Sequence, residues 1–230
     1  MNKVLGVILL KSTSRRVKNK NFLKIKKKMM FQHVLDQSIL TNRFNKIFLS
    51  TEDFKINKMF KKMEKKTFYK NKIDSSFLRP KYMANDNFRM FDVLKSIVLK
   101  LEKNGEYYSK ICLIYATACL LKKNDIIKFL DRFNKIKNKK ASLQTITKFP
   151  APTEWAMTID KNSKLIIKDD NQNITSDNFP KRYYDSGGLH IFTNAAIKSE
   201  KFVKHGYVIS QNKCIDIDYP EDLDLVKNLL

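Results

Sequence analysis

The chain has 230 residues, and its 43% hydrophobic and 11% aromatic content excludes a disordered chain and suffices for one α/β domain with a buried core. Its net charge of +23, from 46 basic and 23 acidic side chains, would suit nucleic acid or an anionic membrane. The excess is mostly lysine spread along the whole chain, and no zinc-finger, homeodomain or aromatic RNA-binding motif accompanies it, so we do not expect nucleic-acid binding.

The N-terminal part of the chain alternates apolar strands with helical segments. Val4–Leu10 is a short continuous apolar run, which predicts a strand buried on both faces. A polar, basic loop follows over 11–21, and Met29–Leu40 then has apolar residues at helical spacing. Lys46–Ser50 predicts a second strand, followed by the polar turn 51–53 and a charged helix.

The middle of the chain continues this alternation. After the break at Arg79-Pro80, the predicted elements are a helix over Phe88–Leu101, a strand over Ile111–Tyr115, the small-residue loop Ala116–Cys119, a helix over Asp125–Lys135 and a strand over Ala141–Thr147. Strands that alternate with helices indicate β-α-β units, so we predict an α/β fold with a mainly parallel sheet.

The pattern changes in the C-terminal third. Residues 150–192 are turn-rich, with short alternating runs at Trp155–Ile159 and Lys164–Lys168, and predict a small β-rich insertion on the α/β core. The chain then closes with a predicted strand over Lys213–Ile217 and a helix over Glu221–Leu230.

Cysteine usage and hydropathy indicate the cellular compartment of the protein. Cys112, Cys119 and Cys214 form no C-x-x-C pair and are odd in number, so we expect neither a disulfide framework nor a zinc knuckle. No run is long and apolar enough to span a bilayer, and the N-terminal apolar run has the wrong charge order for a signal peptide. We therefore expect a single domain over 1–230 in the cytoplasm.

Polar loops follow the predicted strands, where open parallel sheets bind ligands. These loops are 11–21, 50–53, 116–121 and 185–190. The first of them, Lys11–Asn21, combines hydroxyl and cationic side chains that can surround a triphosphate, with backbone N–H groups as further donors. It has no G-x-G-x-x-G and no Walker pattern, and the alternative interpretation is a solvated basic loop.

A pair of carboxylates, Asp216 and Asp218, lies at the end of the last predicted strand. Residues i and i+2 of a strand face the same side, so these carboxylates would lie roughly 7 Å apart, close enough to hold one hydrated Mg²⁺. Ile215 and Ile217 would then face the core. The alternative is that Asp218 merely caps the following helix.

Several short motifs occur in a fixed order along the chain. They are Ile8–Asn21, Ser50–Asp53, Phe77–Asp86, Ile114–Leu121, Phe149–Pro152, Tyr184–Gly187 and Asp216–Asp222. In this order they resemble the motifs I-P-A-R-G-G-S-K-R-I-P-R-K-N, S-T-D-D, F-L-R-P-x-x-L-A-x-D, I-Y-P-T-A-P-L-L, F-P-x-P, H-D-A-G and D-I-D-T-P-E-D of the cytidylyltransferases that make CMP-activated sugar acids. Tyr115, which stands where the neuraminic branch has Gln, makes the pseudaminic acid branch the most similar.

The resemblance implies a three-layer α/β nucleotidyltransferase fold that transfers CMP from CTP to a nonulosonic acid, here pseudaminic acid, and releases pyrophosphate. It also implies a homodimer in which a β-rich projection, 150–185 in this chain, reaches over the partner's sugar site. The implied nucleotide-binding residues are Lys11, Ser14, Arg15, Asn21 and Arg79. The implied sugar-binding residues are Tyr115, Asp185 and Gly187. Asp216 and Asp218 would hold Mg²⁺ and would be catalytic together with Lys20.

The chain also departs from the family pattern. Ser12 and Thr13 replace the loop glycines, Ala116 and Cys119 replace prolines of the middle motif, and Gly188 stands where Gln is common. Glycine permits positive φ and close approach of the backbone to phosphates, so side chains in the loop are expected to tilt it or weaken nucleotide binding. The alternatives are thus an enzyme for another nonulosonic acid such as an acylneuraminate, or a degenerate homologue without turnover. A basic nucleic-acid-binding protein is the remote alternative.

Overall fold

The computed structural model describes residues 2–14, 17–85, 87–167, 174–213, 215, 217 and 219–230. Its strands are β1 (Val4–Leu9), β2 (Lys24–Ile25), β3 (Lys28–Met29), β4 (Lys46–Ser50), β5 (Ile73–Asp74), β6 (Lys110–Ile114), β7 (Ala141–Lys148), β8 (Met157–Ile159), β9 (Leu165–Ile167), β10 (Tyr183–Thr193) and β11 (Val203–Val208). Its α-helices are α1 (Met30–Leu40), α2 (Phe54–Glu64), α3 (Met90–Lys103), α4 (Lys123–Asn134), α5 (Asn194–Ser199) and α6 (Pro220–Leu229). None of these described helices is long and apolar enough to cross a membrane.

The central sheet has seven strands in the order β11-β7-β10-β6-β1-β4-β5. β1 pairs in parallel with β4 and β6, β4 with β5, and β7 with β11. β10 runs antiparallel to both of its neighbours, β6 and β7. The predicted α/β fold with a mainly parallel sheet is therefore confirmed, with one antiparallel strand inside it.

Helices cover both faces of this sheet and make three layers. On one face, Ile8 and Ile114 of the strands pack with Phe31 of α1 in a cluster that α2 and α4 also join. On the other face, strand residues such as Val7 pack with α3 and α5, for example with Leu94. Successive strand residues alternate between the two clusters, which explains why the inner strands are continuous apolar runs.

The strand predicted over Lys213–Ile217 is wrong for the residues that the structure describes. Gln211–Lys213 forms a 3₁₀ helix, and neither Ile215 nor Ile217 belongs to a strand. Ile217 is fully buried and Ile215 packs beside it, so these side chains do face the core as expected. They pack in a third apolar cluster with Val226 of α6, so helix packing rather than strand pairing accounts for their apolar character.

A hairpin projects from the segment that was predicted as a β-rich insertion. β8 and β9 pair antiparallel, with Met157 opposite Ile167 and Ile159 opposite Leu165. These four apolar side chains share one face of the hairpin and are between 48% and 65% exposed. At the base of the insertion, Arg182 donates two hydrogen bonds to the Glu154 carboxylate, at 2.7 and 3.0 Å.

Candidate nucleotide and sugar site

A cavity of about 850 Å³, the first cavity, opens at the carboxyl end of β1. The predicted nucleotide-binding residues that the structure describes all line it, namely Lys11, Ser14, Asn21 and Arg79, together with the predicted catalytic Lys20. The apolar side chains of Met83, Phe88 and Met90, the last at the start of α3, also line it. The first cavity thus combines cationic and hydroxyl groups that suit phosphates with apolar groups that suit a base. Arg15 lies outside the described residues.

The segment between the two predicted metal ligands reaches this cavity. Ile217 lines its wall, and the Lys20 ammonium donates a hydrogen bond of 2.9 Å to the Ile217 carbonyl. The Lys20 backbone N–H also donates to the Ser14 hydroxyl, at 3.3 Å. The loop after β1 and the segment before α6, almost 200 residues apart in sequence, therefore meet at one place.

The predicted metal ligands Asp216 and Asp218 lie outside the described residues. The separation of roughly 7 Å between their carboxylates was expected from strand geometry. Because Ile217 is not in a strand, that expectation no longer applies. The N-cap position of α6 is Tyr219, whose backbone N–H donates to the Asp222 carboxylate at 2.8 Å. Among the described residues no group of three His, Cys, Asp or Glu side chains is arranged to hold a metal. Carboxylate oxygens are ligands that Mg²⁺ prefers, so the donor set of the two aspartates fits this ion.

Glu52 connects the loop after β1 to Arg79, a role that the sequence analysis missed. Its carboxylate accepts a hydrogen bond of 2.7 Å from the Ser12 backbone N–H and forms a buried ion pair with the Arg79 guanidinium. Burial would raise the pKa of Glu52, but the hydrogen bonds from Ser12 and the charge of Arg79 outweigh it and hold the pKa below its usual value. The only sequence signal was the carboxylate in the motif Ser50–Asp53, since Ser12 and Arg79 are distant in sequence.

A second cavity of about 430 Å³ adjoins the first, since Met90 lines both. A smaller cleft lies next to both, because it shares Lys20 and Asn21 with the first cavity and Tyr115 with the second. Tyr115 and Asp185, both predicted to border the sugar, line the second cavity. Two adjoining cavities of this kind have room for a nucleotide and a second substrate side by side.

Gly187 is not among the residues that line the second cavity, so the structure does not bring it to the place expected for a sugar contact. It lies in an irregular stretch of β10 where the pairing with β7 shifts between Asp185 and His190, and its φ is +62°. That backbone conformation favours glycine. Thr145 holds the stretch in place, since its hydroxyl oxygen accepts hydrogen bonds from the Ser186 hydroxyl at 2.7 Å and from the Leu189 N–H at 2.9 Å.

The substitutions in the family motifs fit their surroundings without backbone strain. Ser12 and Thr13 are not among the described non-glycine residues with positive φ, so the loop does not need glycine at these positions. The Cys119 N–H donates to the Thr117 carbonyl at 2.8 Å, a bond that proline would lack. At Gly188, an added Cβ would lie 2.7 Å from the Thr145 hydroxyl oxygen, which explains why this chain has no side chain there.

Residues 5–223 match a family model described as cytidylyltransferase. A pseudaminic acid cytidylyltransferase from Campylobacter jejuni subsp. jejuni serotype O:23/36 (strain 81-176) is 26% identical over 232 residues, which cover 99% of this chain and 96% of that protein. A Helicobacter pylori (strain ATCC 700392 / 26695) protein named pseudaminic acid cytidylyltransferase and UDP-2,4-diacetamido-2,4,6-trideoxy-beta-L-altropyranose hydrolase is 24% identical over 91% of this chain and 37% of its own length.

Solved structures share the fold. A CMP:2-keto-3-deoxy-manno-octonic acid synthetase complexed with CTP superimposes with a TM-score of 0.69 at 12% identity, covering 99% of this chain and 98% of that one. A 4-diphosphocytidyl-2C-methyl-D-erythritol synthase from Anaerococcus prevotii DSM 20548 gives a TM-score of 0.64 at 11% identity, with the same coverage. At such low identity the likeness concerns the fold alone.

Proposed function

The chain belongs to the cytidylyltransferase family, and on that premise we propose that it transfers CMP from CTP to a nonulosonic acid, pseudaminic acid in particular, and releases pyrophosphate. The observation that carries the proposal is the pair of adjoining cavities. The cationic first cavity suits the triphosphate, and the second, which Tyr115 and Asp185 line, suits the sugar acid. The names of the Campylobacter jejuni and Helicobacter pylori relatives support the choice of sugar.

In the proposed reaction, the anomeric hydroxyl oxygen of the sugar acid attacks the α-phosphorus of CTP. The new bond joins that oxygen to phosphorus, the bond from the α-phosphorus to the bridging oxygen breaks, pyrophosphate leaves, and the hydroxyl proton passes to water. Positioning and charge neutralisation dominate such chemistry. Lys11, Ser14 and Lys20 hold the triphosphate, and the buried Arg79, fixed by Glu52, helps to place the nucleotide.

Asp216 and Asp218 would hold Mg²⁺, which when bound neutralises negative charge on the phosphate oxygens. Lys20 lies beside the segment that carries these aspartates in the sequence, because its ammonium donates a hydrogen bond to the Ile217 carbonyl. The lysine would therefore supply a positive charge beside the Ile217 segment with or without the ion.

We also propose that the enzyme is a homodimer assembled through the β8–β9 hairpin. A two-stranded hairpin is only marginally stable in water without a packing partner, and this one exposes the apolar side chains Met157, Ile159, Leu165 and Ile167 on a single face. The second copy would cover that face.

The experiment that tests the proposed function is a pyrophosphate-release assay with the purified protein, Mg²⁺, each of CTP, ATP and GTP, and a panel of nonulosonic acids. We expect release only with CTP, and fastest with pseudaminic acid. If pyrophosphate is released only with a different nonulosonic acid, that acid would replace pseudaminic acid as the proposed substrate. A folded protein that binds CTP but is silent with every acid would identify a degenerate homologue.

A further inference from the structure

The second cavity is lined by both aromatic and polar side chains. Phe192 of β10 and Phe202 contribute aromatic rings whose centroids lie 5.4 Å apart in an edge-to-face arrangement. His190 and Gln144 contribute polar groups to the same cavity. A ligand that fills it must therefore present both an apolar group and hydrogen-bonding atoms.

His190 has a nitrogen that the protein does not satisfy. Its Nε2 is buried and has no hydrogen-bond partner among the described residues. The ring lies against Phe192, with centroids 4.0 Å apart, and the broad energy profile of χ2 lets it turn a nitrogen toward the cavity. Buried polar atoms without partners are rare in folded proteins, and this one belongs to a side chain that lines the second cavity, where a bound ligand would supply the missing partner.

The His190 imidazole is neutral at physiological pH. Burial, helped by the positive charge of Lys204, lowers its pKa to about 4. Arg89, Asp185 and Glu200 also line the cavity. The pKa of His190 is nevertheless lowered, so its imidazole is uncharged. A neutral imidazole offers one donor and one acceptor, as does a carboxamide, and it does not attract a carboxylate as a cation would.

Gln144 stands directly beside His190. The two residues are paired across the antiparallel strands β7 and β10, so their side chains lie next to each other on one face of the sheet. The next residue along β7, Thr145, binds the irregular stretch of β10 through its hydroxyl and so fixes the approach to His190. The two polar side chains therefore lie side by side and are called here the His190–Gln144 pair.

We propose that the His190–Gln144 pair determines sugar specificity by binding an N-acyl substituent of the sugar acid, with the acyl methyl group packed against Phe192 and Phe202. An amide carries one donor and one acceptor beside a methyl group, which matches the polar and apolar sides of the cavity. A hydroxyl in the same place leaves the aromatic side unfilled. The inference rests on the proposed function, because it takes the second cavity to be the sugar site.

Histidine NMR tests the inference without relying on turnover. The protein is prepared with ¹³C-labelled histidine rings, its His190 signal is assigned with a His190→Gln variant, and pseudaminic acid is added in the presence of CMP. We expect the His190 signal to shift while those of His33 and His205 stay in place. The acid 2-keto-3-deoxy-manno-octonic acid, which has no amide, should shift the signal little or not at all.

Kinetics give the second measurement. His190→Phe should lower kcat/KM for pseudaminic acid about tenfold while leaving KM for CTP unchanged, and His190→Gln, which restores a donor and an acceptor, should recover most of the loss. His205→Phe is the matched control, because His205 also has an unpartnered buried nitrogen but does not line the cavity. It should change neither parameter.

The outcomes separate the inference from the function on which it rests. Turnover of pseudaminic acid with an unmoved His190 signal overturns the inference and leaves the proposed function standing. A shifted signal without turnover supports the binding site and overturns the proposed reaction. An unmoved signal without turnover overturns both, and equal shifts with the two acids overturn the assignment to an N-acyl group.

Discussion

Lys20 brings a positive charge to the first cavity without supporting the core, so its removal should separate catalysis from stability. We expect Lys20→Ala to lower turnover by roughly a hundredfold, the scale for losing one well-aimed charge on developing negative charge. The melting temperature should hardly change, because a partly exposed lysine stabilises a fold little. Lys18→Ala is the control, since Lys18 lies in the same loop but is exposed and outside the cavity wall. Equal activity of the two variants would remove Lys20 from the site.

Glu52 acts through its neighbours, so we treat it as a positioning residue. Glu52→Gln keeps a hydrogen-bond acceptor for the Ser12 N–H but leaves the buried Arg79 guanidinium without its counter-ion. We expect KM for CTP to rise about tenfold with a smaller change in kcat. We also expect a melting temperature lower by roughly 3–10 °C, or about 1–3 kcal/mol.

The Glu52 prediction has a pH signature and a neighbouring control. Because the folded-state pKa of Glu52 lies below its usual 4.5, its stabilisation is complete above that value and is lost as the pH falls through the folded-state pKa. The stability of wild type and Glu52→Gln should thus differ at pH 7 and converge on acidification. Asp53→Asn should change neither KM nor stability, since Asp53 only caps α2 and asparagine caps equally well. An unchanged KM in Glu52→Gln would refute the positioning role.

At the scale of elements, the β8–β9 hairpin carries the proposal of a homodimer. Ile159→Lys places a charge on its apolar face and should weaken self-association at least about tenfold in sedimentation velocity. Thr158→Lys is the matched control, because Thr158 is the adjacent residue and faces the opposite side of the hairpin. Dimers of equal strength in both variants would exclude the apolar face as the interface.

The segment before α6 carries the proposed metal ligands. We expect Asp216→Asn and Asp218→Asn each to lower turnover at least about a hundredfold or to raise the Mg²⁺ requirement strongly, because each removes one ligand charge. Stability should stay level, since the buried Ile217 is untouched. Asp224→Asn on the exposed side of α6 is the control. Normal Mg²⁺ dependence and turnover in Asp218→Asn would refute the metal assignment.

Strands β1, β4, β6 and β7 and the longer helices could be predicted because their patterns are local, whereas β10 was wrongly assigned to the insertion and the short helix α5 was missed. Val4–Leu9 and Lys110–Ile114 are buried on both faces and are therefore continuous apolar runs. β11 was missed because Val203–Val208 is an edge strand with partly exposed, mixed side chains and a glycine. The strand predicted over Lys213–Ile217 failed because its isoleucines pack in an apolar cluster with residues of α1, α6 and the loop after β6, and not in the central sheet.

The candidate site was likewise predictable only in part. Lys11, Ser14, Lys20, Asn21 and Arg79 were placed at one site by motif resemblance, and all of them line the first cavity. The Glu52 bridge could not be predicted, because its partners lie 40 and 27 residues away and meet only in the folded chain. The isolation of the His190 nitrogen depends likewise on packing against Phe192 and on the pairing of β10 with β7.

At the scale of the whole molecule, the net charge and the order of the strands both fit the proposed substrate, CTP. The net charge of +23 produces a positive field that favours the approach of a nucleoside triphosphate. The sheet order sets β1 beside β6 and β6 beside β10. It therefore brings the loop after β1, Tyr115 and Asp185 to consecutive positions along one edge of the sheet. The order of the strands thus explains why the two cavities adjoin.

The central claim is that this fold joins CMP to a sugar acid, and the fate of the α-phosphate tests it most directly. The protein is incubated with Mg²⁺, pseudaminic acid and CTP labelled with ³²P at the α-position, and the products are separated by chromatography. The account predicts that the label moves into a CMP-sugar conjugate while unlabelled pyrophosphate is released in equal amount. Label that stays in CTP, or that appears in free CMP without a conjugate, would contradict it.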